Sequence, residues 1–426
     1  MRGVRRHLEA TPAAGTGCLT SCRAAGGSVG LMGTSRLDSP LVERMSGFGT
    51  TIFAEMSALA VRHDAVNLGQ GFPDTDGPPE IIEAVVDALR AGHNQYPPGP
   101  GIPELRRAIA GHQQRCYDLA LDPDTQVLVT AGATEAIAAA MLALAGPGDE
   151  VVVFEPYYDS YAASIALGGA TRRVVPLRPP SRRFDPDELE AAITPATKVL
   201  LLNTPHNPTG HWFGPHELEV IAEVCRRNDL IAVCDEVYEH LLFDGRVHVP
   251  LATLPGMFDR TLTISSAGKT FSFTGWKVGW VTGPAELVSA VRTVKQFLTY
   301  VSGGPLQYGV AHALAMGEGP IDELRRSLQS KRDRLCAGLE RAGFEVMVPD
   351  GTYFVVADIR PVGATDGLEF CRALPGRVGV AAVPTQVFHD DVEAGMPYVR
   401  FAFCKRDEVI DAACERLAAF GTGAVS

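Results

Sequence analysis

Between residues 127 and 283 six short apolar runs recur: VLVT (127–130), EVVVFE (150–155), KVLLLN (198–203), LIAVCDE (230–236), TLTISS (261–266) and VGWVTG (278–283). They are short and mainly apolar, so they are expected to be buried on both faces. That is the pattern of a mainly parallel sheet covered by helices. The stretches between them carry helical apolar spacing, as in PHELEVIAEVCRRND (215–229), with Pro215 near the start. Strand and helix in alternation predict an α/β chain with a doubly wound sheet. AIAAAMLALAG (136–146) is too short for a membrane helix, which needs about 18 apolar residues, and reads as a buried core helix.

The pattern changes after about residue 310. A charge-rich helical stretch at 312–344 is followed by GTYFVVADI (351–359), VGVAAVP (378–384), YVRFAFCK (398–405) and a last helix, DEVIDAACERLAAF (407–420). This part is expected to be a smaller α+β domain. The expected boundaries are 75–305 for the large domain and 45–74 with 306–426 for the small one. Residues 1–36 hold five arginines and one acidic residue among many Ala, Gly and Ser, faintly like a transit peptide. Met32 and Met45 are alternative in-frame starts, and 1–44 is expected to be a disordered or spurious leader.

A net charge of −12 argues against nucleic acid as the main partner, since a phosphate backbone requires a basic footprint. The nine cysteines form no Cys-x-x-Cys, and no His/Cys group has zinc spacing. Free thiols in a reducing, cytoplasmic compartment are expected, with no metal and no membrane association.

The stretch SSAGKTFSFTGWKVGW (265–280) contains Gly268-Lys269-Thr270, the ending of a nucleotide P-loop. That loop needs a glycine five positions before Gly268. Position 263 is Thr, so the P-loop reading fails. Lys269 instead follows a buried strand, and ligands of open α/β sheets bind beyond the carboxyl ends of the strands. LIAVCDE delivers Asp235 to the same edge, KVLLLN delivers Asn203, and VLVT runs into the turn AGATEA. A lysine can form a Schiff base with an aldehyde cofactor. A carboxylate can keep a pyridine nitrogen protonated. A turn opening a helix offers unpaired N–H groups to a phosphate. Together these are the requirements of pyridoxal 5'-phosphate (PLP).

With VNLGQGFPD (66–74), NQYPPGPGIPELR (94–106), VTAGATEA (129–136), NTPHNPTG (203–210), DEVYE (235–239), the lysine segment and YVRFAFCK in this order, the chain resembles the class I aminotransferases of PLP fold type I. The resemblance covers about residues 47–420. It implies a seven-stranded, mainly parallel sheet in the large domain. It implies that Lys269 is the Schiff-base lysine and moves the substrate α-proton, and that Asp235 partners the ring nitrogen. Tyr238 and Asn207 would donate to the ring hydroxyl, with Asn203 close by. Gly132, Ala133 and Thr134 would hold the phosphate with Ser266 and Lys277, the last standing where many relatives have Arg. Tyr158 would stack on the ring, with Tyr157 beside it as an alternative. Arg400 would clamp the substrate carboxylate, Gly71 would touch the substrate through its backbone, and Tyr96 would reach the phosphate of a neighbouring subunit in a homodimer.

LGQGFPD, FEPYYDSY, NTPHNPTG, DEVYEHL and RFAFCKRDE narrow the resemblance to the branch of kynurenine, glutamine and methionine aminotransferases. That branch also holds the N-succinyldiaminopimelate aminotransferases, which NQYPPGPG, ISSAGKTF and VGVAAVP resemble most. The expected reaction is amino transfer between N-succinyl-LL-2,6-diaminoheptanedioate and 2-oxoglutarate. The alternatives are kynurenine, glutamine or methionine transamination and a cysteine-conjugate β-lyase.

Overall fold

All six apolar runs are strands of one seven-stranded sheet in the computed structural model, which describes residues 41–421. In chain order the described strands are β1 (Val66–Asn67), β2 (Val127–Thr130), β3 (Glu150–Glu155), β4 (Thr171–Pro176), β5 (Thr197–Asn203), β6 (Ile231–Asp235), β7 (Thr261–Ser266), β8 (Gly279–Thr282), β9 (Glu345–Met347), β10 (Phe354–Asp358), β11 (Val380–Ala381), β12 (Val383–Pro384) and β13 (Tyr398–Ala402). The large sheet runs β2-β8-β7-β6-β5-β3-β4. Five neighbouring strands are parallel, and β8 alone lies antiparallel, to β2 on one side and β7 on the other.

The seventh strand, β4, was not among the expected ones. Its sequence TRRVVP places Arg172 and Arg173 in a strand that pairs only with β3. An edge strand tolerates charge because one side faces water, so it lacks the apolar signature of its neighbours. The central strands are buried along nearly their whole length.

Helix Gly132–Leu144 is Ala-rich, and it packs against β6, β7 and β8 and between helices Asp159–Gly168 and Ala285–Lys295. Small side chains permit that close approach on several sides. Helix Pro215–Arg227 begins where expected; its entry is fixed by the Gly214 N–H, which donates to Glu217 Oε2 at 3.2 Å.

The single helix expected at 312–344 is two helices, Gly304–Ala315 and Gly319–Arg341. Gly317 between them has φ +79°, a left-handed conformation that stops the first helix, and Pro320 fits the first turn of the second. The segment VGVAAVP is divided between two sheets. β11 pairs in parallel with β1, and β12 joins the four-stranded sheet β12-β13-β10-β9. The chain near residue 66 is thereby hydrogen-bonded to the chain near residue 380. A large apolar cluster that includes Leu335, Phe344, Val355, Phe401 and Leu417 lies against this smaller sheet. It is distinct from the cluster of Leu128, Ile137, Val151, Val199 and Ile264 on one face of the large sheet.

The leader expected at 1–44 lies outside the described residues up to position 40. Its last two residues enter a 3-10 turn, Glu43–Met45. Among the described residues no helix is long and apolar enough to cross a membrane.

Candidate active site

Four strands of the large sheet end at one cavity of about 330 Å³. β2 leads into the turn at Gly132, β5 ends on Asn203, β6 ends on Asp235, and β7 ends on Ser266, three residues before Lys269. Parallel strands end on the same edge, so side chains distant in sequence converge there. The cavity is lined by Gly132, Ala133, Thr134, Tyr158, Asn203, Asn207, Asp235, Tyr238, Ser266, Lys269 and Lys277 from this part of the chain. Gly71, Phe354 and Arg400 close it from the other.

Lys269 sits in the one-turn helix Ala267–Thr270. Its Nζ donates to the Tyr353 hydroxyl at 2.5 Å, and that hydroxyl donates to the Gly71 carbonyl at 2.6 Å. Burial lowers the Lys269 amine to about 8; Arg400 and Lys277 push the same way, and Cys404 and Asp235 oppose them. The amine therefore has a usable neutral fraction near physiological pH.

Asp235 is buried, and burial raises its carboxyl to about 6. The Tyr161 hydroxyl donates to Oδ2 at 2.6 Å and the Val237 N–H to Oδ1 at 3.3 Å, both favouring the anion. Asn203 holds the neighbouring loops: its Nδ2 donates to the Asp235 carbonyl at 2.8 Å, and its Oδ1 accepts the Asn207 N–H at 2.7 Å. Asn203 thus ties the ends of β5 and β6 together and aims Asn207.

Arg400, in the middle of β13, is 1% exposed. Its Nη1 donates to Asn207 Oδ1 at 2.9 Å and its Nη2 to the Gly69 carbonyl at 3.2 Å. The guanidinium lies 3.9 Å from the Phe354 ring centre, with Phe388 and Phe53 at 5.1 and 5.3 Å. Among the described residues no carboxylate forms an ion pair with it, Asp159 acting only from a distance, and its Nε has no hydrogen-bond partner. Burial brings its guanidinium down to about 10, still cationic at neutral pH.

The turn opening helix Gly132–Leu144 is tightly built. Gly132 has φ +76°, and a Cβ placed there would lie 3.4 Å from Lys277 Cε. β8 crosses directly behind: a Cβ on Gly279 would fall 2.6 Å from the Gly132 carbonyl carbon. The Ala131 N–H is already taken by Glu135 Oε2 at 2.6 Å. The next amides belong to a first helical turn, which has no intrahelical acceptors.

Of the residues expected at the site, Tyr96 alone is not brought into this cavity. It is 81% exposed, and its ring meets Tyr300 edge-on at 5.5 Å. Tyr158 lines the cavity, whereas Tyr157 donates to Asp390 at 2.5 Å and packs in the core. Sequence reasoning missed Tyr161, Tyr353 and Phe354. Tyr353 and Phe354 stood in plain view in GTYFVVADI, but nothing local marks that strand as facing Lys269. A buried group beyond the cavity joins His112, Glu239 and His240, whose ligand-type atoms lie within 4.8 Å of one another. Glu239 there accepts the Ser265 and Tyr117 hydroxyls at 2.5 and 2.6 Å.

A lysine and a buried carboxylate at the strand ends of the large sheet, faced across the cavity by an arginine of the smaller sheet that has no carboxylate partner among the described residues, define an amino-group transferase site. Residues 63–417 match the family model "Aminotransferase class I and II", and the chain belongs to that family. It is an aminotransferase. It is 53% identical over 386 residues to the probable N-succinyldiaminopimelate aminotransferase DapC of Mycobacterium tuberculosis, spanning 88% of this chain and 97% of that one. The crystal structure of the Mycobacterium tuberculosis N-succinyldiaminopimelate aminotransferase superposes with a TM-score of 0.87, covering 89% of this chain and 100% of the other. The methionine aminotransferase of Escherichia coli is 39% identical over 89% of this chain and 99% of its own. Kynurenine–oxoglutarate transaminase 3 of Mus musculus is 37% identical over 88% of each.

Proposed function

We propose that the protein is a PLP-dependent aminotransferase acting between N-succinyl-LL-2,6-diaminoheptanedioate and 2-oxoglutarate. The observation that carries the reaction type is the convergence of Lys269, Asp235 and Arg400 on one cavity. The substrate assignment is supported by the 53% identity to the mycobacterial enzyme, against 39% and 37% to the methionine and kynurenine enzymes.

The donor set fits PLP. First-turn amides at Gly132, Ala133 and Thr134, with Ser266 and Lys277, suit a phosphate. Asp235, held anionic by Tyr161 and the Val237 N–H, suits a protonated ring nitrogen. Asn207 and Tyr238 offer donors to a ring oxygen, and Tyr158 an aromatic face. Bound there, PLP supplies an aldehyde that accepts the amino group and a ring that takes up the electron pair left when the α-proton departs.

The chain's own residues do the rest. Arg400 binds the α-carboxylate; its apolar surroundings of Phe354, Phe388 and Phe53 strengthen that pairing by keeping water out. Asn207 orients the guanidinium through its 2.9 Å bond. Lys269 takes the α-proton and returns it, general acid–base work contributing about 10²–10⁴-fold. Both proposed substrates carry a distal carboxylate besides the one Arg400 would hold.

We read 75–305 as the large domain and 45–74 with 306–426 as the small one, a reading supported by the separate sheets and the β1–β11 pairing. A homodimer is supported by Tyr96, Phe297 and Tyr300, aromatic side chains 81%, 83% and 51% exposed. The cytoplasmic reading is supported by seven free cysteines among the described residues.

The test is a comparison of kcat/KM with 2-oxoglutarate as acceptor. The succinylated substrate should exceed kynurenine, glutamine and methionine by at least about 10-fold. A preference for any of those three, or keto-acid-independent release of pyruvate from a cysteine conjugate, overturns the substrate assignment.

A further inference from the structure

We infer that Tyr353 is a positioning residue that holds the free amine of Lys269 in place beside the reacting carbon. The inference rests on the reading of Lys269 as the catalytic lysine. Three groups form a directed chain: Lys269 Nζ donates to Tyr353 Oη at 2.5 Å, and Tyr353 donates its own hydrogen to the Gly71 carbonyl at 2.6 Å. The Gly71 carbonyl can only accept, so with the tyrosine hydrogen directed to it the oxygen presents a lone pair to Lys269. A lysine has three donors and four rotatable bonds, so an amine freed from a covalent bond would otherwise wander. The fixed acceptor restricts it.

Tyr353 is itself immobile. It is 2% exposed, and its ring packs edge-on against Tyr238 at 5.2 Å and Phe354 at 4.8 Å. Its backbone is fastened on both sides: the Thr352 N–H donates to the Leu241 carbonyl at 2.8 Å, and the Tyr353 carbonyl accepts the Phe403 N–H at 2.9 Å. Tyr353 precedes β10, Gly71 follows β1, and Lys269 follows β7. One hydroxyl therefore ties the amine to the segment whose Gly69 carbonyl also accepts from Arg400. The charged and titratable groups around the amine are Asp235, Cys404, Arg400 and Lys277, with Tyr353 in direct contact and the Tyr238 ring 5.7 Å away, its hydroxyl interacting with that of Tyr353.

The experiment compares wild type with Tyr353→Phe in two readouts. In the full chain stripped of cofactor, reductive methylation of Lys269 is followed by peptide-resolved mass spectrometry from pH 6 to pH 10. An acceptor favours the protonated amine, so its loss should speed labelling at pH 7 by about 3- to 10-fold and move the midpoint down. In the loaded enzyme kcat should fall about 10- to 100-fold while KM changes less than about 3-fold. Unchanged labelling together with unchanged kcat overturns the inference. If Tyr353→Phe does not fold, a crystal structure of the wild-type chain without cofactor decides: a Lys269–Tyr353 separation near 2.5 Å supports the inference, and a separation beyond hydrogen-bond reach overturns it. Lys269→Ala keeps the two readings apart. Full activity in that variant defeats the role of Lys269 itself, whereas an inactive Lys269→Ala beside an unaffected Tyr353→Phe defeats only this inference.

Discussion

Tyr161 donates to Asp235 Oδ2 at 2.6 Å inside the protein, with both side chains almost wholly buried. That bond offsets part of the desolvation that raises the Asp235 carboxyl to about 6. Tyr161→Phe should push the carboxyl higher and weaken its pairing with a cationic ring nitrogen. A hydrogen bond to a charged group contributes about 1.5–3 kcal/mol, so PLP affinity should drop about 10- to 100-fold in titrations of the cofactor-free chain.

Asp235 also links stability to pH. An unfolded Asp carboxyl titrates near about 3.9. The folded one, at about 6, binds its proton more tightly. Folding therefore takes up a proton between those values, stability falls as pH rises through 6, and the full cost persists above it. Asp235→Asn removes the cost. The cofactor-free variant should be more stable by about 1–3 kcal/mol at pH 7.5, with the gain fading below about pH 4. Denaturant titrations at several pH values check this. The same variant should bind PLP poorly, a trade of stability for function.

Arg400→Ala removes both arms of the proposed carboxylate clamp. kcat/KM should fall by roughly two orders of magnitude or more for amino acid and oxo acid alike, with PLP still bound. Arg400→Lys should recover little, because an ammonium lacks the planar fork. Loss of PLP binding with carboxylate recognition spared would contradict the role.

Two glycines give steric tests. A Cβ on Gly279 would lie 2.6 Å from the Gly132 carbonyl carbon and 2.8 Å from the Ala133 nitrogen, so the turn must shift. Gly279→Ala should weaken PLP about 10- to 100-fold, the size of a 1–3 kcal/mol overpacking cost. A Cβ on Gly71 would lie 2.5 Å from Phe354 Cζ, and Phe354 lies under Arg400. Gly71→Ala should raise KM for both substrates more than it lowers kcat.

The sequence was most legible where several strands end on one edge. Asp235, Asn203 and Lys269 each follow a buried apolar run, so parallel pairing alone brings them together. Tyr353 was illegible because its partners, Lys269 and Gly71, are far away in sequence and meet it only through packing between different sheets. β4 was hidden by its arginines, which an edge strand accommodates. The break at Gly317 was hidden by helix-like composition on both sides; one left-handed residue decides it.

The central claim is that Lys269 carries the cofactor. Borohydride reduction of the PLP-loaded chain, followed by digestion and peptide mass spectrometry, tests it directly. The phosphopyridoxyl mass should appear on the peptide containing Lys269 and vanish in Lys269→Ala. The same mass on a peptide bearing a different lysine, with Lys269 unmodified, would contradict the account.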